Sequence, residues 1–175
     1  MCIRDSLGVG GCRQVPWTGP DETSANENQS HGGPAEVPVV VGVHAAPRRR
    51  QATELACEAH GRLVPAEDWG EDGLVPASVL AGGPGTVVLE VPAQVPVTHV
   101  IGELADEAGR LRLRAVVTVA CLHTLHEDLA SDRSRALVDC LETATHHGLV
   151  GDGACAGDVA QARRILQALS PGVWA

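Results

Sequence analysis

Val37-Pro-Val-Val-Val-Gly-Val-His-Ala-Ala-Pro-Arg-Arg-Arg-Gln-Ala-Thr53 decides the fold of this 175-residue chain. Val37–Val43 is a nearly continuous apolar run, the pattern of a strand buried on both faces. A small-residue loop follows, and Arg48–His60 then places Ala52, Leu55, Ala56 and Ala59 at helical spacing. Gly61 is placed to end that helix, and Arg62–Val64 reads as a second strand. Ala66–Gly85 is polar and glycine-rich, with a helical turn at Pro76–Leu80. Thr86–Val91 is the clearest strand after the first. Val97–Ala108 reads as a helix with Val97, Val100, Ile101 and Leu104 on one face. Arg112–Val119 is a strand, Leu122–Leu129 a short helix and Ser134–His146 an amphipathic helix. Gly148–Gly151 is a weak strand. Asp158 suits the N-cap of a helix over Val159–Leu169, stopped by Ser170-Pro171-Gly172. Strands alternating with helices imply right-handed crossovers. The expected fold class is α/β, a mainly parallel sheet flanked by helices in a three-layer sandwich.

The strand–loop–helix order of the first unit is that of a P-loop. A working P-loop needs G-x-x-x-x-G-K-[ST]: backbone N–H groups wrap a phosphate, Lys reaches it, and the hydroxyl holds Mg²⁺. Only Gly42 fits. Pro47 takes the second glycine's place and has no N–H to offer. Arg48 stands where Lys belongs and Arg49 where the hydroxyl belongs. Gly42, Ala45, Arg48 and Arg49 are therefore the candidate nucleotide contacts. Weak anion binding at the helix N-terminus is one reading of them, and a solvated helix start is the other.

Phe and Tyr are absent, Met occurs once and Trp three times. The core must be built from Val, Leu, Ala and a few Ile. All thirteen basic residues are Arg, and this usage points to a GC-rich gene. A net charge of −9 argues against nucleic acid as a partner, because phosphate contacts need a basic surface. No apolar run approaches the roughly 20 residues that span a bilayer, and residues 1–16 show no signal peptide. The expected location is the cytoplasm. The six Cys, at positions 2, 12, 57, 121, 140 and 155, form no C-x-x-C pair and read as buried hydrophobes or free thiols. Residues 1–6 (MCIRDS) are read as translated sequencing adapter. Residues 7–36 are rich in Gly, Pro, Ser, Asn and Glu without periodicity, and read as disordered or as upstream linker. Order is expected from Val37.

Thr86–Leu129 (TVVLEVPAQVPVTHVIGELADEAGRLRLRAVVTVACLHTLHEDL) resembles the GTP-binding domain of the CobW family, relatives of the HypB and UreG metallochaperone GTPases. Glu90 matches a strand-end Glu, and Thr98-His99-Val100 a helix opening. Val116–Val119 matches the next strand, and Glu127-Asp128-Leu129 a short acidic helix. Val138–His146 and Val159–Val173 resemble the helices that follow. The resemblance covers residues 37–175 and rests on the order of these signals. It implies a P-loop-NTPase-like fold, GTP and Mg²⁺ as cofactors, and a role in zinc or cobalt homeostasis. By resemblance Glu90 would act near Mg²⁺ or position the attacking water. The alternative is a relic, solvated at the strand's C-terminal edge. A client metalloprotein or a ribosome-associated protein would be the partner.

The departures fall on the sites. The family's Cys-x-Cys-Cys metal motif should precede Glu90, yet Leu63–Gly85 contains no Cys. The Ser-Gly after the strand-end Glu is replaced by Val91-Pro92-Ala93. The Asp ending the next strand falls on Cys121. The guanine-reading Asn-Lys-x-Asp is replaced by Val150-Gly151-Asp152-Gly153. No C-terminal domain follows within the chain. Phosphoryl transfer is mostly positioning and electrostatics, so these losses leave little for hydrolysis. The expected function is a CobW-like GTP-binding protein with eroded motifs and little GTPase activity. Two alternatives stand beside it. One is a pseudo-GTPase binding module, regulatory or ribosome-associated. The other is a small metal-binding protein that uses Cys121, His123 and His126 for Zn²⁺, with Glu127, His99 or His146-His147 as further ligands. Exposed histidines on a helix are the plain reading of that cluster. G-x-S-x-G is absent.

Overall fold

A computed structural model describes residues 33–81, 83–151 and 156–170. Residues 1–32, and with them the expected adapter and most of the expected linker, lie outside these. So do Asp152 and Gly153 of the expected base-reading segment, Cys2, Cys12 and Cys155, and the Pro171-Gly172 stop.

The elements in order are β1 (Ala35–Val41), α1 (Ala45–Glu58), β2 (Arg62–Val64), a 3₁₀ turn (Ala66–Asp68), α2 (Ala77–Leu80), β3 (Val87–Glu90), α3 (Val97–Asp106), β4 (Leu111–Cys121), α4 (Leu125–Ala130), α5 (Ser134–Thr143), β5 (His146–Val150) and α6 (Ala156–Leu169). The five strands form one sheet in the order β2-β3-β1-β4-β5. Every pairing is parallel, with Val39 opposite Leu89 and Val116, and Ala120 opposite Leu149. The fold is thus the α/β sandwich that the alternating pattern implies.

Side chains alternate across the sheet, and the two parities meet different helices. Val37, Val39, Val41, Leu89 and Val116 pack with Val97, Val100 and Leu104 of α3, and with Trp69, Val75 and Val79 from the β2–β3 connection. Val40, Val88, Val119 and Val150 face the other way, onto Ala52 and Ala56 of α1. Ala120 and Leu149 lie on the α3 side and meet Leu125, Leu137, Leu141, Ala162 and Leu166 of α4, α5 and α6. Ala59 falls just beyond α1 and is exposed, which narrows the expected apolar face to Ala52 and Ala56 with Leu55 at its border.

Several boundaries differ from expectation. β1 begins at Ala35 because Ala35 N–H donates to Arg110 O (2.9 Å) and Glu36 N–H to Gly85 O (2.9 Å). Residues 35 and 36 therefore belong to the domain, not to a linker. Pro38 is tolerated in a central strand because the β1–β4 register shifts between Val37 and Pro38, where a missing donor is least disruptive. α1 begins at Ala45, three positions before the expected start. Pro47 fits there because the first helical N–H groups have no intrahelical acceptor. At its far end His60, not Gly61, adopts the left-handed conformation (φ 48°). Gly61 N–H returns to Ala56 O (2.9 Å) and His60 N–H to Cys57 O (3.3 Å), the two bonds of a Schellman end. Gly61 is glycine for a different reason: a Cβ there would lie 2.7 Å from Thr86 O.

α5 stops at Thr143 because Thr145 joins the sheet. Its N–H donates to Val116 O (2.8 Å), and its Oγ1 accepts from Val116 N–H (2.9 Å). His146 consequently opens β5, with His147 after it, instead of closing the expected helix. Asp158 lies inside the first turn of α6, not at its N-cap.

Candidate functional site

α1 is driven back toward β2 and β3, whereas α4 and α5 lead away from β4 to β5. The C-terminal ends of β1 and β4 therefore flank a topological switch point, the place where open α/β sheets hold ligands. Glu90 ends β3 on the same rim.

Gly42, Val43 and His44 alone separate β1 from α1. This connection is too short to wrap a phosphate, because Ala45 and Ala46 are already helical. Arg48 N–H bonds within the helix to His44 O (3.3 Å). Gly42 has φ 153°, and a Cβ on it would lie 2.6 Å from Val119 O. Its glycine identity serves close packing against β4.

Arg48 is buried in the second half of the first α1 turn (4% exposed). Its Nη1 donates to Gly42 O at 2.7 Å, and its Nε donates to Glu90 Oε1 at 3.3 Å. Glu90 is 1% exposed, so it is not the solvated strand-end group that a relic would be. Its other oxygen, Oε2, accepts from Arg49 Nε and from Ala66 N–H at 3.3 Å. Arg49 also pairs with Glu67 through both terminal nitrogens. Bonds to Glu67 first, and to Glu90 next, hold the Arg49 guanidinium above its already high value. The exposed Glu67 carboxyl is held below its ordinary range by Arg49. Gly42, Arg48, Arg49 and Glu90 are thus brought together, and with Glu67 the two arginines and two carboxylates form an internally neutralised network. Ala45 stands apart, exposed at the helix start.

The cysteine–histidine candidates separate. Cys121 ends β4 half-buried, while His123 and His126 are exposed. His126 Nε2 shares a hydrogen bond with Gln161 Nε2 of α6 (2.8 Å). His99 sits on α3 beside Glu103 (3.2 Å). His146 pairs with Val117 at the start of β5, whereas Cys121 pairs with Val150 at its end. Four residues of strand, roughly 13 Å, divide them. Successive strand residues also point to opposite faces, so His146 and His147 cannot converge on one ion. Burial pushes the His147 imidazole below its ordinary value, and partial desolvation at the sheet does the same to the more exposed His146. Among the described residues, no group of three or more His, Cys, Asp or Glu side chains could hold a metal ion. Cys140 is a half-buried thiol, pushed up to about 11 chiefly by desolvation.

A second cluster, which sequence reasoning missed, bridges the switch point itself. His44 Nε2 lies 2.7 Å from Asp128 Oδ2. Thr124 Oγ1 lies 2.8 Å from the same oxygen and 2.9 Å from His44 Nε2. Arg133 Nη1 stands 3.6 Å from Asp128 Oδ1. Burial pushes the Asp128 carboxyl up, but bonds from His44 and Thr124, with the charges of His44 and Arg133, outweigh it and hold the group below its ordinary value. An ionised Asp128 requires Nε2 to carry the proton. Thr124 then donates to the same carboxylate and is not activated by the ring, so the triangle is not a nucleophilic triad. Asp128 was legible only as part of a family-like Glu-Asp-Leu. Nothing in the sequence joins it to His44, 84 positions away.

Comparison of the chain with family models, curated proteins and solved structures finds no match. Among the described residues, no helix is long and apolar enough to cross a membrane.

Proposed function

We infer that this chain is a non-hydrolysing pseudo-GTPase module, related to the CobW type, that acts by binding a protein partner. The observation that carries the reading is the buried Arg48–Glu90 pair. The residue in the P-loop Lys position spends its donors on Gly42 O and Glu90. The residue in the hydroxyl position is tied to Glu90 and Glu67. A nucleotide phosphate would have to break this network. Breaking one buried pair costs about 3–5 kcal/mol, which lowers affinity by roughly two to four orders of magnitude. The family-like order from Thr86 to Leu129 supports the ancestry, and a client metalloprotein or ribosome-associated protein is the partner class it suggests.

Titration of the folded chain with a fluorescent GTP analogue and Mg²⁺ tests this. The expected result is no saturable signal, with circular dichroism showing an intact α/β fold. Saturable binding in the low micromolar range overturns the reading.

A further inference from the structure

His44 is the N-cap residue of α1, yet its side chain makes no capping bond. It reaches instead across the switch point, where its Nε2 is held by Asp128 and Thr124. Asp128 is 2% exposed, while the His44 side chain is 27% exposed. The imidazole is therefore anchored at its inner nitrogen and open to solvent along part of its edge. Among the described residues, no hydrogen bond reaches the other nitrogen, Nδ1. In the neutral ring, with its proton on Nε2 facing Asp128, Nδ1 carries the lone pair. A carboxylate behind the ring fixes which nitrogen carries the proton in the neutral imidazole.

We propose that His44 Nδ1 is a phosphoryl-acceptor site, modified by a donor of the acyl phosphate class. The Nδ1 lone pair forms the N–P bond. The acyl O–P bond breaks, and its electron pair leaves with the carboxylate. No proton has to move, because the ring keeps Nε2–H on Asp128, whose charge balances the one that develops on the imidazole. Nδ1 is the ring nitrogen nearer the backbone, so the added dianion falls beside the first turn of α1. There the N–H groups of Ala45 and Ala46 have no intrahelical acceptor, and a helix start favours negative charge. Arg133, 61% exposed and already paired with Asp128, is the cation at the rim. Arg48 and Arg49 take no part, being committed to Glu90. Asp128 is a positioning residue here, acting through His44.

The full chain is incubated with acetyl phosphate, and acid-labile phosphoryl groups are mapped by tandem mass spectrometry. The expected result is modification of His44 ahead of the exposed His60, His99 and His123. Asp128→Asn slows labelling of His44 severalfold, because the amide no longer holds the ring in the Nε2–H tautomer, and His44→Gln removes that label while leaving the others. Equal or faster labelling of the exposed histidines overturns the proposal, as does an unchanged rate in a folded Asp128→Asn protein. Should that variant unfold, nitrogen-15 NMR of the unaltered chain decides. The proposal requires the Nε2–H tautomer at His44, and a ring protonated at Nδ1 alone overturns it.

Discussion

Arg48 on α1 and Glu90 at the end of β3 are 42 residues apart, and each hides the other's charge, with Arg48 Nε 3.3 Å from Glu90 Oε1. A buried pair of this kind contributes little net stability against an apolar replacement, yet is costly to halve. Glu90→Leu leaves the Arg48 guanidinium buried with Gly42 O as its main partner, and is expected to cost about 3–5 kcal/mol. Arg48→Met in the wild-type background should cost less, because Glu90 keeps Arg49 Nε and Ala66 N–H as donors. The double variant should recover most of the loss, since both desolvation penalties vanish together. Urea denaturation of the four proteins in a double-mutant cycle gives the coupling. Additive single effects would show that the pair is not a unit.

Asp128 makes the acid limb of stability readable. Its carboxyl is held below its ordinary value in the folded chain, because the His44 and Thr124 bonds and neighbouring charges outweigh burial. The unfolded group titrates near the usual value of about 3.9. The stabilisation is thus fully present above that value and is lost as pH falls through the lower, folded one. Denaturant melts across a pH series should show stability declining below about pH 4. Asp128→Asn should be less stable at neutral pH, with a shallower acid decline. A decline of equal steepness in both proteins would remove Asp128 as its source.

The strand and helix order was legible because periodicity is local. Val37–Val41 and Thr86–Glu90 could hardly be anything but buried strands, whereas the order β2-β3-β1-β4-β5 is set by contacts between distant segments. The misplaced ends were set by distant partners: Thr145 is drawn out of a helical pattern by Val116, and Ala35 into the sheet by Arg110. The site shows the same division. The loss of P-loop chemistry at Pro47, Arg48 and Arg49 could be read from residue types. That Arg48 turns inward onto Glu90, or that His44 meets Asp128, depends on contacts across 42 and 84 positions, and no local pattern records them.

Zinc offers a sharp test of the cysteine–histidine reading. Cys121, His123 and His126 fall close in sequence, but His126 is engaged with Gln161, and no metal-holding group occurs among the described residues. Chain purified without a His tag and dialysed against Zn²⁺ should retain no stoichiometric metal by elemental analysis. His123→Ala should leave its melting temperature unchanged with or without added Zn²⁺. One equivalent of retained zinc, lost in His123→Ala, would restore the metal-site reading.

Two glycines should respond to alanine in opposite directions. Gly42 sits at φ 153°, and a Cβ there would meet the Val119 carbonyl oxygen at 2.6 Å. That oxygen belongs to the central strand β4, so it cannot move aside without disturbing the ladders to β1 and β5. Gly42→Ala is expected to destabilise by about 2 kcal/mol or more, through backbone strain and the clash together. Gly102 lies within α3, where an added Cβ meets nothing within 4 Å and the helical backbone suits alanine. Gly102→Ala is expected to stabilise by about 0.5–1 kcal/mol, through helix propensity and a less flexible unfolded chain. Thermal and urea melts of both variants measure the difference. A tolerated Gly42→Ala would mean that the β1–α1 connection can draw away from β4, and the switch point would then be wider than the close Gly42–Val119 packing allows.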